Sequence, residues 1–184
     1  MPESRYAVLS AWDKTGIEEI GRALADSGHQ LLSTSRTAEA LRVAGLPVIE
    51  ISDWTGAPEI LGGRVKTIHP RIAAGILNTR NDPEAELIDV VVCNLYPFRQ
   101  GVARGATEPE LIELIDIGGV TLLRAAAKNF PFVAAVPETS WYPEVIADLG
   151  RHGKVSDGLR RRLALSTFEL TSGYDSTVAR NLAR

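Results

Sequence analysis

Short apolar runs alternate with stretches of helical period along most of this chain. Y6-A-V-L-S10 is followed by polar W12-D-K-T-G16, after which Ile17, Ile20, Leu24 and Ala25 recur at helical spacing, so strand, turn and helix are predicted in that order. S27-G-H29 breaks the helix, Q30-L-L-S33 predicts a second strand, and Thr37 stands where it can cap a helix carrying Ala38, Leu41 and Ala44. G45-L-P-V-I-E-I51 predicts a third strand. Strands alternating with helices imply right-handed crossovers, and so an α/β fold: a mainly parallel sheet covered by helices on both faces, with ligands at the strand ends.

From Ser52 to about Pro70 the periodicity fails and Gly, Pro, Asp and Thr accumulate, a long irregular segment of the kind that often carries function. A short helix is predicted around Arg71 to Leu77, then a polar link over 78–85. I88-D-V-V-V-C93 is the strongest strand signal, its consecutive β-branched residues suiting a central strand buried on both faces. Further helices are predicted over Thr107–Leu114, Val120–Lys128, from Pro137 toward Leu149 and onward from Ser156, with a strand at F132-V-A-A-V136. Arg160, Arg161 and Arg162 are consecutive and cannot all face one ligand, so a solvated face is expected.

The 184 residues are read as one domain, and 45% hydrophobic with 23% charged residues excludes the profile of a disordered chain. A net charge of −3 gives no global attraction for nucleic acid or an anionic membrane. No apolar segment is long enough to span a bilayer and the N-terminus lacks a leader pattern, so a cytoplasmic protein is expected. Cys93 is the only cysteine and is read as a buried strand residue. His69 has no partner at metal-ligand spacing, and neither a metal nor an organic cofactor is expected.

Polar residues gather at the predicted strand ends. Ser10 and Lys14 in the first loop, and Thr34, Arg36 and Thr37 in the second, suit phosphate or carboxylate oxygens, although an ordinary helix cap with an exposed Lys14 fits the same residues. In L61-G-G-R-V-K-T-I-H-P70, Arg64 and Lys66 share a face if the segment is extended, with Thr67 beside them; a solvated basic turn is the alternative. Asn94 and Tyr96 follow the central strand directly, while Phe98 is read as packing. Asp116 precedes two glycines and a helix ending in Lys128, so that an acid and a base candidate could lie near one ligand, or simply form an ion pair.

Three of these segments, L61-G-G-R-V-K-T-I-H-P70, C93-N-L-Y-P-F98 and I115-D-I-G-G-V-T-L-L-R-A-A-A-K-N129, resemble the inosine monophosphate cyclohydrolase domain of the bifunctional purine-biosynthesis enzyme, and a terminal G173-Y-D-S-T-V178 resembles that family's closing helix. The resemblance implies a methylglyoxal-synthase-like fold and dehydrative closure of 5-formamidoimidazole-4-carboxamide ribotide to inosine monophosphate, a cyclic-amidine hydrolase working in the dehydrating direction. It implies a ribonucleotide substrate, a homodimer and no cofactor or metal, with the transformylase domain of the bifunctional protein expected to be missing. It places Ser10, Lys14, Thr34, Arg64, Lys66 and Thr67 at ribotide or phosphate, and Asn94, Tyr96, Asp116 and Lys128 around the base and its reacting amide. One departure stands out: T34-S-R-T37 replaces the two glycines common in the second loop of the family, leaving Arg36 to supply phosphate affinity by its side chain or the loop to fit a related ribotide. A binding domain that senses a phosphorylated metabolite is the non-enzymatic alternative.

Overall fold

The structure is a computed structural model that describes residues 5–81 and 86–183. Part of the polar link over 78–85 and most of the N-terminal segment 1–6 therefore lie outside the described residues. Five strands, β1 (Arg5–Ala11), β2 (Gln30–Ser33), β3 (Val48–Glu50), β4 (Leu87–Asn94) and β5 (Ala134–Val136), form one sheet in the order β3-β2-β1-β4-β5 with every pair parallel. Nine α-helices join the described strands: α1 (Ile17–Asp26), α2 (Ser35–Val43), α3 (Ile51–Thr55), α4 (Pro70–Leu77), α5 (Phe98–Ala103), α6 (Glu108–Glu113), α7 (Gly118–Lys128), α8 (Tyr142–His152) and α9 (Asp157–Leu182).

Alternation along each strand divides the core in two, as a pleated strand requires. Leu9, Val90, Val92 and Val136 point to the face covered by Ile17, Ile20 and Leu24 of α1, Leu41 of α2, and Val145 and Leu149 of α8. Val8, Val91 and Ala135 point to the other face, against Ile72 and Ile76 of α4 and Leu122, Leu123 and Ala126 of α7. Helix α9 lies along the β5 edge, placing Leu159 and Leu163 in the first cluster and Ala164 in the second, with the Thr167 hydroxyl donating to the Ala135 carbonyl at 3.5 Å. An edge strand covered in this way cannot recruit another chain.

The sequence reading of the sheet stands with local corrections. Ile51 opens α3 and does not end a strand, and that short helix stops at Gly56, whose φ of 71° favours glycine. Helix α5 was not foreseen. Thr37 is not a cap: helix α2 starts earlier, with Thr34 at the N-cap position, and the buried Thr37 hydroxyl accepts from the Ala11 N–H and donates to the Ala11 carbonyl. Arg160 is not solvated either. Its guanidinium donates to the carbonyls of Phe130, Pro131 and Val155, closing the turn between α7 and β5 against α9.

At the opposite end of the sheet from the strand C-termini, Asp89 pairs with Arg5 and Arg80, and the buried His29 ring lies 3.8 Å from the same carboxylate. Burial, then the nearby Arg5 charge, hold the His29 imidazole below its ordinary value, outweighing Asp89. The fold thus favours neutral His29, whereas the unfolded chain takes up a proton near the ordinary value of about 6.5, so stability is present above that pH and lost below it. We expect the unfolding free energy from urea titration to fall between about pH 7 and about pH 5.5 in the wild type and to vary less in His29→Gln; equal slopes would remove His29 as the cause.

Candidate functional site

The chain leaves β1 toward β2 and β3 on one side and returns to β4 and β5 on the other, so strand order reverses at β1 and β4. Loops diverge at such a reversal and leave a crevice beyond the strand C-termini. Here it is a cavity of about 680 Å³, lined from β1 by Ser10, Trp12 and Lys14, from the β2–α2 turn by Thr34 to Thr37, from the irregular segment by Gly62 to Arg64, Lys66 and Thr67, from β4 by Asn94 and Tyr96, and from the α6–α7 turn by Asp116 to Gly119. That volume suits a nucleotide-sized ligand.

One side of the cavity is cationic. The Lys14 ammonium donates to the Ala11 and Trp12 carbonyls at 3.4 and 3.3 Å. Burial, followed by the Arg36 charge, lowers its proton affinity below the ordinary lysine value; Lys66 acts in the same direction and Asp13 against it. Three cations close enough to disfavour one another are stabilised by an anion among them. The guanidinium of Arg36 stands 5.8 Å from the centre of the Trp12 ring, which meets the Tyr96 ring edge-on at 5.2 Å. Ser35 adopts a φ of 29°, on the positive side that L-residues avoid, and its hydroxyl donates to Glu59. The backbone thus keeps a shape suited to glycine although the glycines are absent.

At the other end of the cavity Asp116 is only 9% exposed. Its carboxylate accepts from the Gly119 N–H at 2.7 Å, at the N-terminus of α7, and from the Tyr96 N–H at 3.3 Å. Burial raises the Asp116 pKa; the two N–H groups and the Lys66 charge work against that without cancelling it. Two glycines permit this seat. A Cβ at Gly119 would fall 2.7 Å from the Asp116 carboxylate, and one at Gly118 would fall 2.7 Å from the Thr67 hydroxyl. Burial, and then Asp116, raise the Tyr96 pKa as well, so its phenol keeps its proton at neutral pH.

Eleven of the twelve residues expected from the sequence line this cavity: Ser10, Lys14, Thr34, Arg36, Thr37, Arg64, Lys66, Thr67, Asn94, Tyr96 and Asp116. Two have more structural work than expected. The Asn94 carboxamide clamps the first loop, its oxygen accepting from the Asp13 N–H and its nitrogen donating to the Asp13 carbonyl, both at 2.8 Å. Arg64 pairs with Glu113 across the cavity rim. Lys128 is the exception: it is exposed at the far end of α7, ten residues beyond Gly118 and so about 15 Å along the helix axis at the usual rise per residue. That distance rules out the Asp116–Lys128 ion pair within the chain.

The sequence reading passed over Trp12, whose position in the turn after an apolar strand was its only signal, and Tyr174. His69 stands at the N-cap of α4, its Nδ1 accepting from the Arg71 N–H. Cys93 is buried, and burial pushes its thiol pKa well above the ordinary value. Among the described residues no three His, Cys, Asp or Glu side chains gather so as to hold a metal ion.

The chain is 48% identical to the bifunctional purine biosynthesis protein PurH of Ruminiclostridium cellulolyticum over 97% of its own length and 37% of that protein's. It is 50% identical to PurH of a Synechococcus species over 95% of its length and 35% of that protein's. It thus spans little more than a third of these curated relatives. A solved structure described as the crystal structure of ForH superposes with a TM-score of 0.80 at 33% identity, covering 96% of this chain and 97% of that one. Residues 126–184 match the model of the AICARFT/IMPCHase bienzyme family. The MGS-like domain model matches residues 16–121, more than half of the chain and four of the five sides of the cavity, all but the one formed by Ser10, Trp12 and Lys14, and the chain belongs to the family of MGS-like domains.

Proposed function

We propose that the chain, as one domain over residues 1–184, closes the six-membered ring of 5-formamidoimidazole-4-carboxamide ribotide to give inosine monophosphate and water. The observation that carries this reading is the placement of a buried carboxylate, a protonated phenol and a lysine at one end of a cavity whose other end holds Lys14 and Arg36. The identity to PurH proteins along nearly the whole chain supports it.

In this reading the phosphate lies by Lys14, Arg36 and the N-terminus of α2, where charge-assisted hydrogen bonds are strongest. Ser10, Thr34 and Thr67 hold the ribose and phosphate oxygens, and Arg64 adds positive charge at the rim. The carboxamide nitrogen attacks the formyl carbon, a carbon–nitrogen bond forms, and the formyl oxygen leaves as water after taking up protons released from the two nitrogens. An amide nitrogen is a weak nucleophile, so holding it against the formyl carbon supplies much of the acceleration. Asp116, ionised, takes the proton from the carboxamide; Tyr96 and Lys66 donate to the oxygen on which charge develops. Lys128, at the far end of α7, takes no part within its own chain.

The same reading has the protein acting as a cytoplasmic homodimer on a free ribonucleotide, without nucleic acid or membrane; among the described residues no helix is long and apolar enough to cross a membrane. Ser35 and Arg36 favour one second reading, a related ribotide as the preferred substrate, which a comparison of kcat/KM across close analogues of the ribotide distinguishes.

Ultraviolet absorbance following purine formation tests the proposal. Asp116→Asn and Lys66→Ala are expected to lower kcat by about a hundredfold or more, the usual contribution of a positioned acid, base or oxyanion donor, with melting temperatures near wild type. Turnover at the wild-type rate in both would end this assignment. Because burial raises the Asp116 pKa, wild-type kcat should decline with falling pH at a point above the ordinary carboxylate value of about 3.9. For Arg36→Ala the expected change is a KM about tenfold higher with kcat little altered, as for loss of one charge-assisted hydrogen bond to phosphate; an unchanged KM would remove Arg36 from the phosphate site.

A further inference from the structure

Tyr174 projects from α9, the helix that covers the β5 edge, and its phenol meets the backbone of Asp116 from outside the cavity. The Asp116 N–H donates to the Tyr174 hydroxyl at 2.8 Å, and that hydroxyl donates onward to the Leu114 carbonyl at 2.6 Å. Both ends of the turn entering α7 are thereby pinned to one oxygen. The ring is held in turn, meeting Phe98 edge-on at 6.2 Å, and Phe98 is fully buried.

We infer that Tyr174 is a positioning residue for Asp116: its hydroxyl fixes the backbone from Leu114 to Asp116 so that the carboxylate reaches the Gly119 and Tyr96 N–H groups. The inference rests on the proposed role of Asp116 as the base. Tyr174 does not line the cavity that holds Asp116; it lines a second one, of about 790 Å³, between the β4 end and α9. It therefore acts through Asp116 and not on the ligand. The geometry leaves little slack, because the Gly119 N–H to carboxylate distance is already 2.7 Å while the Tyr96 N–H is 3.3 Å away, so a small shift of the turn breaks the second bond first. Losing that bond removes one of the interactions favouring the ionised carboxylate, which moves the Asp116 titration upward.

Tyr174→Phe in the full chain separates this role from simple packing, since it keeps the ring against Phe98 and deletes only the hydroxyl. The expected result is a kcat about tenfold lower with KM within about twofold, as for loss of an interaction that matters at the reacting atoms alone. The acid limb of the pH–rate profile should move to higher pH. In parallel, the carboxyl resonance of Asp116, labelled with carbon-13 and assigned by its absence from Asp116→Asn, should titrate at higher pH in Tyr174→Phe than in wild type. A lower melting temperature with kcat per folded molecule and the Asp116 titration both unmoved would overturn the inference. Should Tyr174→Phe fold poorly, 3-fluorotyrosine at position 174 alters the hydroxyl with the ring retained, and the same two readings decide. The titration needs no substrate: a wild type without turnover would count against the cyclisation reading, whereas an unmoved Asp116 resonance would count against Tyr174.

Discussion

Withdrawing a carboxylate from water is costly unless its oxygens meet donors, and the seat of Asp116 is built around that constraint. The Gly119 N–H sits at the positive end of α7 and the Tyr96 N–H at the end of β4, so the carboxylate couples a helix start to a strand end. Much of the local sequence follows from it. Gly118 and Gly119 lack side chains because Thr67 and the carboxylate occupy the space where those would be. The segment from 56 to 69, between α3 and α4, runs across this corner and brings Lys66 to the carboxylate, a position that a regular helix or strand could not give it while also delivering Thr67 and Arg64 to the same cavity.

The other end of the cavity obeys the opposite demand. Burial and the neighbouring Arg36 charge disfavour the charged form of Lys14 until an anion joins them. The parallel sheet makes the gathering possible, since β1 and β2 end side by side and each opens into a turn before a helix N-terminus. A molecule with a phosphate at one end and an amide at the other matches this polarity. The Arg36–Trp12–Tyr96 ladder joins the two ends, and Ser35, strained at a positive φ, is part of what places Arg36 on that ladder.

Strand and helix positions were legible in the sequence because buried parallel strands are continuous apolar runs and the covering helices are amphipathic. The misreadings came where tertiary contact overrode local pattern. Ile51 prolongs an apolar run yet opens a helix, since Trp54 three residues on must reach the same core cluster. Thr37 has the residue type of a cap but is buried against Ala11, and Arg160 looked solvated because nothing local reveals that three carbonyls of a distant turn await it. That Lys66, Tyr96 and Asp116 gather at one cavity was legible from motif and strand-end position. Lys128 was placed with them by its position on the following helix and by resemblance, although the helix length alone separates it from Asp116. The contact of Tyr174 with Asp116 was invisible in the sequence, the two being 58 positions apart.

In the proposed reading one cavity holds the ribotide with its phosphate at the Lys14–Arg36 end and its base at Asp116. A crystal structure of the protein with inosine monophosphate bound tests it most directly. Phosphate oxygens are expected within hydrogen-bond distance of Lys14 and Arg36, and the six-membered ring against Tyr96 and the Asp116 carboxylate. Nucleotide bound in the reverse direction, or in the cavity beside Tyr174, would contradict it.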